Sequence, residues 1–151
     1  MVIIFMKNIL RNYKYFIILF SFTLAFTASS AEQNSITMKL KQCPDTPNCV
    51  SSQSLSAEHK ISPIPYKTSA VEAKEKIKTI MLIMPNTRLI KEKDQYLHIE
   101  FKTSVLKFVD DVEIIIDDAE KVIHIRSASR VGHWDLGANR RRVENIRKKF
   151  M

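Results

Sequence analysis

The sequence is poor in glycine, cysteine and tryptophan, and each shortage excludes a class of site. Its 151 residues include two glycines, two cysteines and one tryptophan. A loop that cradles phosphate groups with several glycine amides is therefore excluded. Two cysteines without a third ligand nearby make a weak zinc signal, so we expect no metal and no cofactor. Internal repeats, low-complexity runs and a serine-nucleophile motif are also missing from the sequence.

No apolar run in the sequence is long enough to cross a membrane. The most pronounced run, 15–26, lies near the N-terminus. Lys7, Arg11 and Lys14 precede this run, and the small residues 28–31 follow it. A positive region, a short apolar region and a small-residue cleavage site are the three parts of a secretory signal peptide. A transmembrane helix needs about 20 apolar residues, and this run has 12. We therefore predict a signal peptide over 1–31, cleaved after Ala31; an uncleaved anchor is the alternative.

Export sets the expectations for the rest of the chain. Cleavage leaves a linker over 32–42 and one domain over 43–151, placed in the periplasm. The leader holds three of the 24 basic and none of the 16 acidic residues, so the mature chain carries a net charge of +5. A basic surface favours an anionic ligand or an envelope protein as partner, and export argues against nucleic acid. We expect a monomer that meets the membrane only through its signal peptide, before cleavage.

The two cysteines, Cys43 and Cys49, both lie in the exported part. An even cysteine count in an exported protein predicts a disulfide. The loop between them is short and contains two prolines, which limit the unfolded chain further. A redox or metal role for two free thiols is the alternative interpretation.

Apolar periodicity predicts two helices and four strands. Ser69 and Glu72 have the spacing of a capping box, and the apolar stripe after them predicts a helix that Pro85 ends. The second helix is predicted from Asp135 to Lys149, with Asp135 as N-cap and Leu136 on its buried stripe. The predicted strands cover 87–92, 96–102, 108–116 and 122–129. The expected fold class is α+β: a two-layer sandwich whose antiparallel sheet of about four strands carries both helices on one face.

The turn 117–120 predicts a tight hairpin between the last two strands. Opposite charges and apolar residues then pair across the strands, which favours one register. The predicted pairs are Asp117 with Glu120, Glu113 with His124, Asp111 with Arg126, and Ile114 with Ile123.

Three stretches together resemble one known family. They are Cys-Pro-Asp-Thr-Pro-Asn-Cys-Val-Ser-Ser over 43–52, Phe-Val-Asp-Asp-Val-Glu over 108–113, and Val-Ile-His-Ile-Arg-Ser-Ala-Ser-Arg-Val-Gly over 122–132, with Asp-Leu-Gly-Ala-Asn-Arg-Arg-Arg-Val-Glu following at 135–144. This pattern is similar to the DUF1499 family and covers 43–147. The resemblance implies an exported or lumenal single domain and no activity, because the family's function is unassigned. His133 and Trp134 depart from the family pattern.

The densest polar stretch, 127–142, leaves a strand, turns at Gly132 and enters a helix. Backbone N–H groups at such places suit anions, and arginine binds carboxylate or phosphate in a forked geometry. The alternative is that these residues hold loops together inside the protein, with arginines paired to carboxylates. The predicted anion-binding residues are Ser127, Ser129, Arg130, Asn139, Arg140 and Arg141. The predicted structural polar residues are Asp110, Arg126, Asp135 and Glu144, and Asp110 is expected to pair with Arg130 or with a backbone N–H near Ser127.

A second polar set lies on the face of the sheet predicted to point outward. It consists of His98, Glu100, Asp111, Glu113, His124 and Arg126. A histidine between carboxylates can carry out acid–base chemistry, which makes Asp111, Glu113 and His124 the candidate catalytic residues of a small hydrolase. The same pattern is typical of a solvated face with charge pairs. We therefore favour a non-catalytic binding module and keep the hydrolase as the alternative.

Overall fold

The computed structural model of the protein describes residues 38–103 and 106–151. The predicted signal peptide and most of the predicted linker lie outside the described residues. The described part has an α+β fold, as predicted, with a mostly antiparallel sheet and two helices. Its elements are β1 (Cys49–Ser51), β2 (Ile64–Pro65), α1 (Ala70–Leu82), β3 (Thr87–Glu92), β4 (Tyr96–Lys102), β5 (Val109–Asp117), β6 (Val122–Ser129) and α2 (Ala138–Phe150).

The sheet has six strands in the described part, two more than predicted. Its order is β1-β6-β5-β4-β3, and β2 also pairs with β6. Both additional strands are short. Periodicity gives no signal for β1, whereas the two prolines of the stretch 59–66 predict an extended edge segment there, and β2 lies within it. Their extended conformation follows from the free edge of β6, whose backbone groups need partners.

Helix α1 forms as its sequence predicts. The Ser69 hydroxyl accepts a hydrogen bond from the Glu72 backbone N–H at 3.2 Å, and the Glu72 carboxylate accepts one from the Ser69 N–H at 3.1 Å. The predicted capping box is therefore confirmed. Four residues of the apolar stripe are buried, namely Ala73, Ile77, Ile80 and Met81.

Loss of this cap gives a measurable effect on stability. We expect Ser69→Ala to lower the free energy of unfolding by about 1 kcal/mol, because the Glu72 N–H at the start of the helix loses its side-chain partner. Urea denaturation monitored by circular dichroism measures the change. Thr68→Ala, a neighbouring exposed hydroxyl that does not cap an amide, is the matched control. Equal losses in the two variants would contradict a capping role.

Helix α2 begins later than predicted. It starts at Ala138, after an N-cap Gly137 with a left-handed backbone (φ 78°). Asp135 is therefore not the N-cap, although its carboxylate still accepts hydrogen bonds from the Gly137 and Asn139 N–H groups at 2.8 Å each. Leu136 precedes the helix and is exposed, so its assignment to the buried stripe is wrong. The other stripe residues, Val143, Ile146 and Phe150, are buried.

The β5–β6 register is two residues away from the predicted one. Glu113 pairs with Arg126, Ile114 with Ile125, and Asp117 with Val122. The connecting loop is 118–121, because the Asp117 carboxylate accepts from the N–H groups of Ala119 and Glu120 and closes a wider turn. A shift of two leaves every side chain on its predicted face.

One apolar core joins the helices to the central strands. Alternate residues of β4, β5 and β6 are buried together with the stripes of α1 and α2. The sequence predicts a strand that begins at residue 108, but β5 begins at Val109, and Phe108 lies before it and is about half exposed. The remaining strand residues alternate to the other face of the sheet, where the polar side chains lie.

Candidate functional site

The polar face of β4, β5 and β6 brings acidic and basic side chains into adjacent rows. Cross-strand pairing places Glu100 opposite Asp111 in one row. In the next row it places His98 opposite Glu113, and Glu113 opposite Arg126. Side chains opposite one another on neighbouring strands are close enough to interact. All six residues of the predicted polar set therefore lie on one face.

A cavity of about 630 Å³ lies over this face. We call it the outer-face cavity. It is lined by the segment 41–44 and by residues of β4, β5 and β6. Its titratable lining side chains on the strands and just after them are His98, Asp111, Glu113, Arg126 and Arg130.

The segment 41–44 is held against the sheet by covalent and hydrogen bonds. Cys43 and Cys49 form the predicted disulfide, and Cys49 lies in β1, opposite Ala128 of β6. Before the segment, the Gln53 side chain accepts from the Leu40 N–H at 2.8 Å and donates to the Met38 carbonyl at 3.3 Å. Leu40 itself is buried. This part of the predicted linker therefore packs on the domain and places Lys41 beside the cavity.

Arg126 is the most buried charged group of the cavity. Its side chain is 7% exposed, and its Nη1 donates to Glu113 Oε2 at 2.8 Å. The other Glu113 oxygen accepts from the Tyr96 hydroxyl at 2.9 Å. Burial and, to a smaller extent, the hydrogen bond to Glu113 raise the pKa of Tyr96. This hydroxyl therefore keeps its proton. The Nε–H of Arg126 is buried and has no partner among the described residues.

Asp111 is held by two donors at the rim. Arg130 donates to both its oxygens, from Nε at 2.8 Å and from Nη2 at 2.7 Å, and His98 Nε2 lies 2.7 Å from Oδ1. Burial raises the pKa of Asp111, but the hydrogen bonds from Arg130 and His98 together outweigh it, and the net pKa is below the ordinary value. Arg130 also pairs with Glu100. The Asp111 carboxylate is therefore ionised and neutralised by its partners.

The six predicted anion-binding residues do not form one site. Ser129 and Arg130 line the outer-face cavity, whereas Ser127 and Asn139 are fully buried. The Ser127 hydroxyl donates to Asn139 Oδ1 at 2.6 Å. The Asn139 amide nitrogen in turn donates to the Asn48 carbonyl, Ser129 Oγ and Asp135 Oδ2. These contacts tie the start of α2 to β6 and to the loop before β1.

Asp110 has its predicted buried partner, but the identity of that partner differs. It pairs with Arg142 of α2, not with Arg130 or a backbone N–H near Ser127. Arg142 Nη1 also donates to Ser127 Oγ at 3.0 Å and to Asn139 Oδ1 at 2.6 Å. Ser129 lies opposite Asp110, and Arg130 is the next residue along the chain. Because side chains alternate between the two faces of a sheet, Arg130 lies on the opposite face from Asp110. Both pairs, Arg142 with Asp110 and Arg130 with Asp111, are internal arginine–carboxylate pairs, which the alternative interpretation of the stretch 127–142 predicts.

The remaining arginines of the stretch hold backbone carbonyls. Arg140 donates to the Lys60 and Glu58 carbonyls, at 3.0 Å and 2.7 Å. Arg141 donates to the Leu136 carbonyl at 2.7 Å. Glu144 pairs with Arg147 one turn along α2. Arg140 and Arg141 therefore stabilise the loops around α2, and the Glu144–Arg147 pair lies within the helix.

The three candidate catalytic residues do not converge. Asp111 and Glu113 are bonded to arginines as described above. His124 lies elsewhere on the face, where its Nδ1 is 3.2 Å from Ser52 Oγ and its Nε2 is 3.9 Å from Asp117. Ser52 Oγ also accepts from the Ile125 N–H at 3.0 Å, so this hydroxyl serves as a bridge between β6 and the chain after β1.

Sequence reasoning missed three residues of this arrangement. Lys41 was assigned to a linker, and only the fold shows that the disulfide places it beside the cavity. Arg142 lies one helical turn from Asn139, a spacing that could have indicated a shared face of α2. Tyr96 gave no signal, because an aromatic residue at a strand end is common.

Two further features of the described residues bear on chemistry. Within 38–103 and 106–151, no three or more His, Cys, Asp or Glu side chains are grouped so that they could hold a metal ion. The described helices are all too short or too polar to cross a membrane.

The comparison with protein families identifies the chain. The model of DUF1499, described as a protein of unknown function, matches residues 39–150. The chain therefore belongs to the DUF1499 family, as its motifs indicate. The match begins at residue 39, which agrees with the packing of Leu40 on the domain. No curated protein matches the chain.

Proposed function

We propose that the protein is an exported, non-catalytic binding module that holds an anionic group in the outer-face cavity. The supporting observation is Arg126, a buried guanidinium that lines the cavity and has an Nε–H without a partner among the described residues. A buried donor left unpaired costs about 1–3 kcal/mol. A ligand oxygen at this position would remove that cost and would bind the arginine in its forked geometry.

The charges around Arg126 favour an anion. The cavity is lined by three cations, Lys41, Arg126 and Arg130, and by two carboxylates, Asp111 and Glu113. Both carboxylates are already paired within the protein. Lys41 is exposed and makes no ion pair within the described part of the chain. An anionic group of a small molecule or of an envelope component therefore has Lys41 and the unpaired Nε–H of Arg126 as partners.

The fold supports a binding role on this face. We infer that both helices cover the opposite face of the sheet, so that the core stabilises the strands and leaves the polar face available. The periplasm is the proposed location, on the basis of the N-terminal sequence. The binding role is favoured over a hydrolase because His124 and the two carboxylates have separate partners.

The first test is native mass spectrometry of the protein recovered from the exported fraction. We expect a bound small molecule or envelope fragment that carries a carboxylate or phosphate group. A ligand that stays bound after replacement of Lys41 and Arg126 would contradict the proposed site.

Point variants locate the site in the cavity. With succinate and inorganic phosphate as probes, a bound anion should raise the melting temperature of the native protein. Lys41→Gln should weaken the apparent affinity about three- to tenfold, because one charged donor is lost. Arg126→Lys should weaken it at least as much, since it keeps the charge and removes the forked donor. Lys39→Gln is the matched control, because Lys39 is exposed and does not line the cavity. If none of the probes shifts the melting temperature and no ligand co-purifies, the proposal fails.

A further inference from the structure

Four large apolar side chains are exposed in two chain segments that meet at one end of the sheet. Val131, Trp134 and Leu136 are 58%, 72% and 81% exposed in the loop between β6 and α2, and Phe108, just before β5, is 49% exposed. We call these four residues the apolar loop surface. None of them lines the outer-face cavity. Exposed apolar groups that cluster in this way mark interaction sites.

Backbone pairing brings the two segments of this surface side by side. The last paired residues of β5 and β6 are Asp110 and Ser129. The Arg130 N–H donates to the Val109 carbonyl at 3.0 Å, which continues the ladder by one step. Phe108 and Val131 therefore lie next to each other at the end of the ladder. Trp134 and Leu136 follow Val131 within five residues.

The loop that carries the surface is anchored by hydrogen bonds. Asn48 Nδ2 donates to the Gly132 carbonyl at 2.6 Å, and Arg141 donates to the Leu136 carbonyl at 2.7 Å. The Asp135 carboxylate binds two amides at the start of α2. The apolar side chains are thus displayed by a fixed backbone. Leu136 also has φ 53°, an unfavourable conformation for leucine, and its side chain gains no burial in return.

Unpaired cations surround the apolar loop surface. Three cations near it are exposed and make no ion pair within the described residues. They are Lys102 and Lys107, on either side of the loop before β5, and Arg141 of α2. Asp135 is the one acidic residue among 106–109 and 130–142, and its carboxylate is occupied by backbone amides. The surface therefore combines apolar groups with net positive charge.

We propose that the apolar loop surface docks on a membrane that contains anionic lipid. Tryptophan with aliphatic neighbours suits the boundary between headgroups and acyl chains. Lysine and arginine beside it suit anionic headgroups. This charge complementarity selects a lipid surface over an apolar protein groove. The proposal differs from the sequence expectation of membrane contact only before cleavage, because it gives the folded domain its own membrane contact.

Trp134 is the single tryptophan of the chain, so its fluorescence reports directly on this surface. The experiment titrates the protein recovered after export with vesicles of phosphatidylcholine alone and of phosphatidylcholine with phosphatidylglycerol. We expect a blue shift of the emission with the anionic vesicles and none with the neutral ones. Raising the salt from about 50 to about 500 mM should weaken the binding, because it screens the lysines and arginine.

Matched variants separate this surface from the rest of the chain. Val131→Ser combined with Leu136→Asn should weaken vesicle binding at least about tenfold, because two apolar side chains no longer enter the membrane. Asparagine tolerates the left-handed backbone at position 136. Leu55→Asn, which changes a fully exposed leucine outside the surface, should leave the binding unchanged. Vesicle binding without a Trp134 shift, equal binding to neutral vesicles, or a shift caused by a protein extract but not by vesicles would each overturn the proposal.

Discussion

Replacing Arg142 with alanine should lower the free energy of unfolding by about 3–5 kcal/mol, because it leaves the Asp110 carboxylate buried without a counter-charge. The two side chains are 13% and 6% exposed. Arg142 also donates to Ser127 and Asn139 and lies over the Phe101 ring at 4.9 Å. One side chain thus connects α2 to β4, β5 and β6. Since small domains are stable by about 5–15 kcal/mol, this single change removes a large part of the total.

Urea denaturation of the variant tests this expectation directly. Arg141→Ala is the matched control: Arg141 is the neighbouring arginine, but it is exposed and contacts one carbonyl. We expect this control to lose less than about 0.5 kcal/mol. In an Asp110→Ala background, Arg142→Ala should cost at least about 1 kcal/mol less than in the native chain, because no buried charge is left behind. Equal effects of the two arginine variants would show that the buried pair does not stabilise the domain.

Loss of the disulfide should lower the free energy of unfolding by about 2 kcal/mol. Cys43 and Cys49 are six residues apart, and closing so short a loop removes about this much chain entropy from the unfolded state. Cys43→Ala combined with Cys49→Ala should also release the segment 41–44 from β1. Affinity for anions at the outer-face cavity should then fall, because Lys41 is no longer held beside it.

Denaturation with and without a reductant measures this contribution. The native protein should lose about 2 kcal/mol when reduced, and the double alanine variant should not respond. A native protein whose stability is unchanged by the reductant would favour the alternative of two functional thiols. Native mass spectrometry of the reduced protein shows whether the co-purified ligand is lost together with the disulfide.

The two arginines on either side of the sheet show why pairing could not be derived from spacing. Asp110 and Asp111 are adjacent, so alternation correctly places them on opposite faces. Which arginine reaches each carboxylate depends on the direction in which the chain leaves β6. After β6, Arg130 lies on the polar face, where it pairs with Asp111. The chain then forms α2, which places Arg142 on the core side, where it pairs with Asp110. Because this pairing depends on the path of the chain in three dimensions, no local sequence pattern predicts it.

The sequence by itself determined the regular elements and the family. Periodicity and the capping box predicted α1, and alternation predicted β3 to β6 with the polar set of β4, β5 and β6 on one face, because these signals depend on residues close along the chain. Strand β1, the β5–β6 register, the late start of α2 and the place of Lys41 were decided by the tertiary structure. Three of these depend on partners from a distant part of the chain: the free edge of β6 for β1, the bond of Asn139 to Asn48 for the start of α2, and the pairing of the disulfide-bonded Cys49 with Ala128 for Lys41. The β5–β6 register depends on the Asp117 carboxylate, which closes a wider turn than the residue types of 117–120 indicate. Only the tertiary structure places the disulfide beside the outer-face cavity and exposes Trp134 in the apolar loop surface, because both positions depend on how distant segments pack.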